Sequence, residues 1–263
     1  IRVPVVLGFN SPFRLFLRDG EKWEPTLDEI NDRSYDYVKL HRLSEFIDVG
    51  IAPFSLGVCF DGGLVLPALE QFQNPDIALR TFNRFLCECL LGGLYCEAIV
   101  PDDVVAGWMS EEAYSRIGTP GTGQASSLHS ALRTKHVGPL QSMALLKPEV
   151  VTVSDLIKLS ELGRKHLTAI GHITPETLLY GATFIARGQW SEALIHLWTT
   201  VEQIVEEIWK EHVMNKVELP EIPKKRRDAF LQDHRSWPVS VKLELLFQKE
   251  LLPEEVYTAL DKA

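Results

Sequence analysis

Trp190-Ser191-Glu192-Ala193-Leu194-Ile195-His196-Leu197-Trp198-Thr199-Thr200-Val201-Glu202-Gln203-Ile204-Val205-Glu206-Glu207-Ile208-Trp209 is the stretch on which the architecture turns. Trp190, Leu194, Leu197, Val201, Ile204, Val205 and Ile208 share one face at helical spacing, with Trp198 and Trp209 on adjoining positions. That period predicts the longest helix of the chain over Gln189–Val213. Upstream, Thr152–Ile170 reads as a helix ended by Gly171, and Thr174–Arg187 as one capped by Thr174-Pro175-Glu176 and ended by Gly188. Downstream, a linker with two prolines (Asn215–Pro223) leads to a short basic helix over Lys224–Asp233, then to Pro238–Gln248 and Pro253–Ala263. Six helices with short connections and no strand signal predict a helical bundle over residues 151–263.

The first 150 residues read differently, as a mixed α/β domain with a sensory or regulatory role, so the expected class is α+β. Val3–Phe9 and Phe13–Leu17 alternate like strands, and Asp19-Gly20 supplies a hairpin-type turn. Residues 26–48 carry a mildly helical, acidic pattern. Phe54–Phe60 and Leu64–Leu69, joined by Asp61-Gly62-Gly63, form the best hairpin signal. Asn74–Leu91 reads as a helix with Asn74-Pro75 as cap and first-turn proline. Asp102–Trp108 carries no clear pattern, Glu111–Ile117 suggests a helical turn, and Gly118–Ser130 reads as an exposed loop.

With 27 Lys and Arg against 36 Asp and Glu in 263 residues, the net charge is −9, which excludes a wholly basic nucleic-acid coat but not a local basic patch. Residues 224–263 carry 8 basic and 7 acidic residues and contain the one basic cluster, Lys224-Lys225-Arg226-Arg227. These four are the candidate RNA-binding residues, as point charges for phosphate. Glu202, beside the apolar face of the long helix, is a candidate site-adjacent residue. No apolar run reaches the length of a membrane span, so no membrane partner is expected. Cys59, Cys87, Cys89 and Cys96 lack metal-ligand spacing and read as small buried hydrophobes of a reducing compartment, with the cytoplasm the expected location.

Gly118-Thr119-Pro120-Gly121-Thr122-Gly123-Gln124-Ala125 imitates a phosphate-binding loop, but Gln124 and Ala125 stand where the chemistry needs Lys and Ser or Thr, which discounts nucleotide hydrolysis there. No His-Glu-x-x-His pairing and no Gly-x-Ser-x-Gly elbow occurs, so neither metal catalysis nor serine hydrolysis is expected, and no cofactor. The chain opens on Ile1 and closes at Ala263 inside a helical pattern without a stop signal, and is expected to be a piece of a longer protein, truncated at its C-terminal end.

Four features in order resemble HEPN-domain proteins, chiefly the bacterial helical domains of that family. They are Trp198-Thr199-Thr200-Val201-Glu202-Gln203 through Trp209, the basic Arg226-Arg227-Asp228-Ala229-Phe230-Leu231, Ser240-Val241-Lys242-Leu243-Glu244-Leu245-Leu246, and Leu252-Pro253-Glu254-Glu255-Val256-Tyr257 with Leu260 and Ala263. The resemblance covers 190–263 best and 152–189 loosely. It implies a homodimer through the bundle and a metal-independent endoribonuclease, a defence or toxin effector, in which an Arg and a His from each copy meet in a shared cleft. The imidazole handles the proton of the ribose 2′-hydroxyl or of the leaving oxygen, and the guanidinium steadies the phosphate. In the family that pair lies directly after the stretch ending here at Ala263, so the resemblance assigns no catalytic residue within this chain and implies that it is inactive as given. Arg227 and His234 imitate the pair but fall in the wrong helix. The alternative is a HEPN-type bundle that only dimerises or binds a partner. The full-length sequence separates the two readings.

Overall fold

Alternating residues near the N-terminus form strand β1 (Arg2–Gly8), which lies inside an antiparallel sheet rather than at its edge. The computed structural model describes residues 2–69, 72, 75–171, 173–216, 223–233 and 235–262. The sheet also contains β3 (Leu43–Ile47), β4 (Leu56–Cys59), β5 (Leu64–Pro67), β6 (Val104–Ser110) and β7 (Ser115–Ile117), in the order β3-β4-β5-β1-β6-β7. β4 and β5 are the hairpin expected across Asp61-Gly62-Gly63, with Val58 opposite Leu64. Gly62 takes φ +89° there, a left-handed conformation that costs a glycine little.

The sheet curls until its first and last strands meet. The Leu43 amide donates to the Ala113 carbonyl at 2.7 Å, and the Ser115 amide to the His41 carbonyl at 2.8 Å. Period-two alternation then sorts the side chains. Val5, Leu7, Val65 and Val105 point into the curl, where Phe9 and Cys59 join them. Leu56, Val58, Leu64 and Leu66 pack outward against Phe82, Phe85 and Leu86 of helix α3 (Pro75–Leu91). The cap residue expected for α3, Asn74, lies outside the described residues.

Four expectations for the N-terminal part need correction. Residues 26–48 hold two short helices, α1 (Leu27–Asn31) and α2 (Tyr37–Leu40), but end in strand β3, because closing the curl requires a partner strand there. Asp19-Gly20 turns without making a hairpin: β2 (Arg14–Leu17) pairs in parallel with β8 (Glu149–Thr152). Glu111–Ile117 is not helical. It is the turn and return strand of the β6–β7 hairpin, with Trp108 opposite Arg116 and Met109 opposite Ser115. Gly118–Ser130 is a loop only as far as Gly123, after which α4 (Gln124–Arg133) begins and buries Ser126 and His129. Periodicity fails there because α4 buries polar side chains, which a hydrophobic template cannot see.

After α5 (Pro139–Leu146) and β8 the chain is helical: α6 (Val153–Ile170), α7 (Pro175–Ala186), α8 (Trp190–Trp209, running into a π-helical turn over Lys210–Met214), α9 (Lys224–Leu231), α10 (Val239–Gln248) and α11 (Glu254–Asp261). The chain is therefore α+β. Leu156 of α6 and Leu179 of α7 belong to the same apolar core as Phe82 and Phe85, so residues on both sides of position 150 share one cluster. A second cluster, built on Val205, Trp209, Leu231, Leu243 and Leu246, holds α9 and α10 to the far end of α8. Among the described residues no helix is long and apolar enough to cross a membrane.

Candidate functional site

Lys224, Lys225 and Arg226 form the exposed first turn of α9, while the side chain of Arg227 and all of His234 lie outside the described residues. α9 is held from below: Leu231 is buried, and its carbonyl accepts from Trp209 Nε1 at 3.3 Å. Three cations at the positive end of a helix dipole repel it slightly and together make a local electropositive point on an acidic protein. Glu202 is exposed and accepts from Trp198 Nε1 one turn earlier at 2.9 Å. Lys242, within the third resembling segment, is buried: its ammonium contacts Glu206 and lies 5.8 Å from the Trp209 ring centroid.

The described histidines of the helical region are engaged with groups other than arginine. His166 Nδ1 contacts the Leu91 carbonyl at 3.2 Å, His196 stacks against Tyr180 and Phe184, and His212 contacts Lys216 and Glu211. Where α7 meets the start of α8, Trp190, Leu194 and Ile195 are 68%, 55% and 65% exposed, an apolar strip that no described element covers.

The N-terminal part contains a charged cluster that the sequence reading missed. Asp61, in the hairpin turn, and His129 and Arg133, one turn apart on α4, are all buried. Arg133 Nε and Nη2 donate to the two carboxylate oxygens of Asp61 at 2.6 and 2.7 Å, a bidentate fork, and His129 Nδ1 sits 2.8 Å from the same carboxylate. Burial alone would raise the Asp61 carboxyl, but the Arg133 guanidinium and the His129 ring overcome it and hold the group well below the usual carboxylate range. Arg133 Nη1 also reaches Ser115 Oγ at 3.3 Å, which lies 3.0 Å from Cys59 Sγ. His41 clamps the closure of the curl: Nδ1 faces the Ser115 carbonyl at 3.0 Å and Nε2 the Arg133 carbonyl at 3.1 Å. Since His129 and Arg133 are buried, the cluster fastens α4 across one end of the curled sheet, and of its three members Arg133 alone borders a cavity.

The loop that imitates a phosphate site is likewise filled from within. The carboxylate of buried Asp103 accepts from the Ser126 amide at 2.7 Å, at the start of α4 where a phosphate would sit.

Above this cluster lies a cavity of about 390 Å³ between α2, the β6–β7 hairpin and the end of α4, lined by Tyr37, His41, Trp108, Arg116 and Thr134 among others. A neighbouring cavity of about 390 Å³ shares Val38, Trp108 and Arg116 with it. Spacing held one clue to the cluster: His129 and Arg133 are four apart and so share a helical face. Nothing in the sequence linked them to Asp61, 68 and 72 residues away. The four cysteines are free and buried, and among the described residues no group of His, Cys, Asp or Glu could hold a metal ion. No family model, no curated protein and no solved structure matches the chain.

Proposed function

We propose that the helical region is a HEPN-like scaffold that pairs two copies of the protein, and that the full-length protein is a metal-independent endoribonuclease whose Arg and His the resemblance puts after the last helix described here. The observation that carries this reading is the uncovered apolar strip on α8, the helix on which the resemblance is centred. Monomers seldom leave contiguous large apolar side chains in water, and a strip on a helix face is suited to a two-fold contact. The exposed cations of α9 support RNA as the partner. The chemistry asks little of the protein beyond placement: the 2′-oxygen bonds to the adjacent phosphorus, the bond to the 5′-oxygen breaks, and the imidazole relays the proton while the guanidinium neutralises the phosphorane. The second reading, a bundle that dimerises without chemistry, is favoured by the described histidines of the helical region, His166, His196 and His212, which are engaged elsewhere.

Light scattering and RNA gels on the full-length protein test both. The expected result is a dimer that Trp190→Asp with Ile195→Asp converts to monomer, and cleavage that survives EDTA and leaves 2′,3′-cyclic phosphate ends. A dimer without cleavage leaves the non-catalytic reading, whereas a monomer at high concentration overturns both.

A further inference from the structure

The register of β6 and β7 puts Trp108 directly opposite Arg116, on the face of the sheet turned away from the curl, since the next pair, Met109 and Ser115, points inward. Arg2 of β1, two positions before the partner of Trp108, shares that face, and its guanidinium carbon lies 5.6 Å from the Trp108 ring centroid. Trp108 and Arg116 thus form the wall common to the two cavities.

The polar groups of this wall are unmatched. Arg14, Arg42, Arg133, Arg164 and Arg187 each pair with a carboxylate. Arg116 on β7 and Arg2 on β1, which flank Trp108 of β6 from either side, make no ion pair with any described residue. The indole Nε1–H of Trp108 is sealed from solvent without an acceptor among the described residues. An unmade hydrogen bond of that kind costs about 1–3 kcal/mol. Next to Thr134 in the chain, Lys135 holds its ammonium 4.3 Å from the Tyr37 ring centroid. Two further cationic or titratable groups of the wall are already committed: both nitrogens of His41 face carbonyls, and the charge of Arg133 is met by Asp61. In the cavity beside Tyr37, which no carboxylate lines, the surplus is therefore positive and lies beside aromatic rings, whereas Glu111 and Glu112 balance Arg2 and Arg116 in the neighbouring one; each has the volume of a small-ligand pocket.

We propose that this trough binds a nucleotide, with the phosphate on Arg116 and the base against the Trp108 and Tyr37 wall. Guanidinium and aromatic groups together suit that ligand, since the fork matches phosphate and the rings offer a flat apolar surface to a base. Glu112, on the rim of the second cavity, is an acceptor for a ribose hydroxyl or a base amino group and would repel a second anion. The proposal is independent of the dimer and of RNA cleavage, because none of its residues lies in the helical region.

Calorimetry with AMP, adenosine and inorganic phosphate as separate probes tests it. AMP should bind at least about tenfold more tightly than either fragment. Arg116→Gln should abolish that advantage without shifting the thermal midpoint, because the side chain is exposed. Trp108→Phe should weaken AMP and adenosine but not phosphate. Absence of AMP binding at millimolar concentration overturns the proposal. So does binding that Arg116→Gln leaves unchanged, and phosphate as tight as AMP would reduce the trough to an anion site.

Discussion

Asp61 is the residue on which the N-terminal fold depends most. It has no solvent exposure, and its charge is met by the Arg133 fork and the His129 ring. Removing one partner of a buried pair strands the other, at a cost of roughly 3–5 kcal/mol, whereas replacing both with apolar groups is often near neutral. Asp61→Asn should therefore lower the urea midpoint sharply, and Asp61→Asn with Arg133→Met should recover most of the loss. An unchanged midpoint in the single variant would mean that the pair is not buried in solution. The pH dependence has a definite sign. Because the folded-state carboxyl of Asp61 titrates below its ordinary value of 3.8, the unfolded chain takes up the proton first, so its contribution is complete above that value and declines steadily as pH falls from there toward the lowered folded-state value. His41 acts in the same direction. Burial, then the Arg133 guanidinium, lowers it from 6.5 against the pull of its two carbonyls, so stability should start to fall as pH drops below 6.5. Stability rising as pH falls from neutrality past 6.5 would contradict the His41 assignment, and stability rising as pH falls below 3.8 that of Asp61. None of this was legible in Asp61-Gly62-Gly63, where turn chemistry alone explains the aspartate.

The packing of α3 against α6 is set by two glycines. A Cβ on Gly163 would lie 1.7 Å from the Glu88 carbonyl oxygen, and one on Gly92, just past α3, 2.0 Å from that of Leu159. Both obstacles are backbone, which cannot rotate aside, and the contact is tied by Arg164 to buried Glu88 at 3.2 Å. Gly163→Ala should therefore cost about 3 kcal/mol by forcing the helices apart, despite its better helix propensity. A gain in chemical-denaturation stability would show that the helices are not in contact. At this scale the sequence was readable where one face of an element is apolar: β1, the β4–β5 hairpin, α3 and the helices after residue 152 fall close to their expected places. It was unreadable where contacts in space override the local pattern. β7 is three residues long and holds its place through β6 and His41, and α4 buries a serine, a histidine and an arginine.

For the whole molecule the net charge of −9 makes any RNA affinity depend on local cations. Replacing Lys224, Lys225, Arg226 and Arg227 with glutamine should reduce the slope of log affinity against log salt by about 3 if all four contact a single strand. An unaltered slope in filter binding would return the cluster to an ordinary solvated helix end. The amino-acid order by itself determined the α+β class, the run of helices from residue 152 and the basic turn at 224, because each rests on periodicity or composition within one segment. Only the tertiary structure decided that the sheet curls until β3 meets β7, that Asp61, His129 and Arg133 share one buried site, and that Arg116 and Arg2 flank Trp108 without an ion pair to any described residue. Those facts depend on which strand lies next to which, and strand neighbours are chosen by burial and hydrogen bonding across tens of residues, which leave no mark in any one segment.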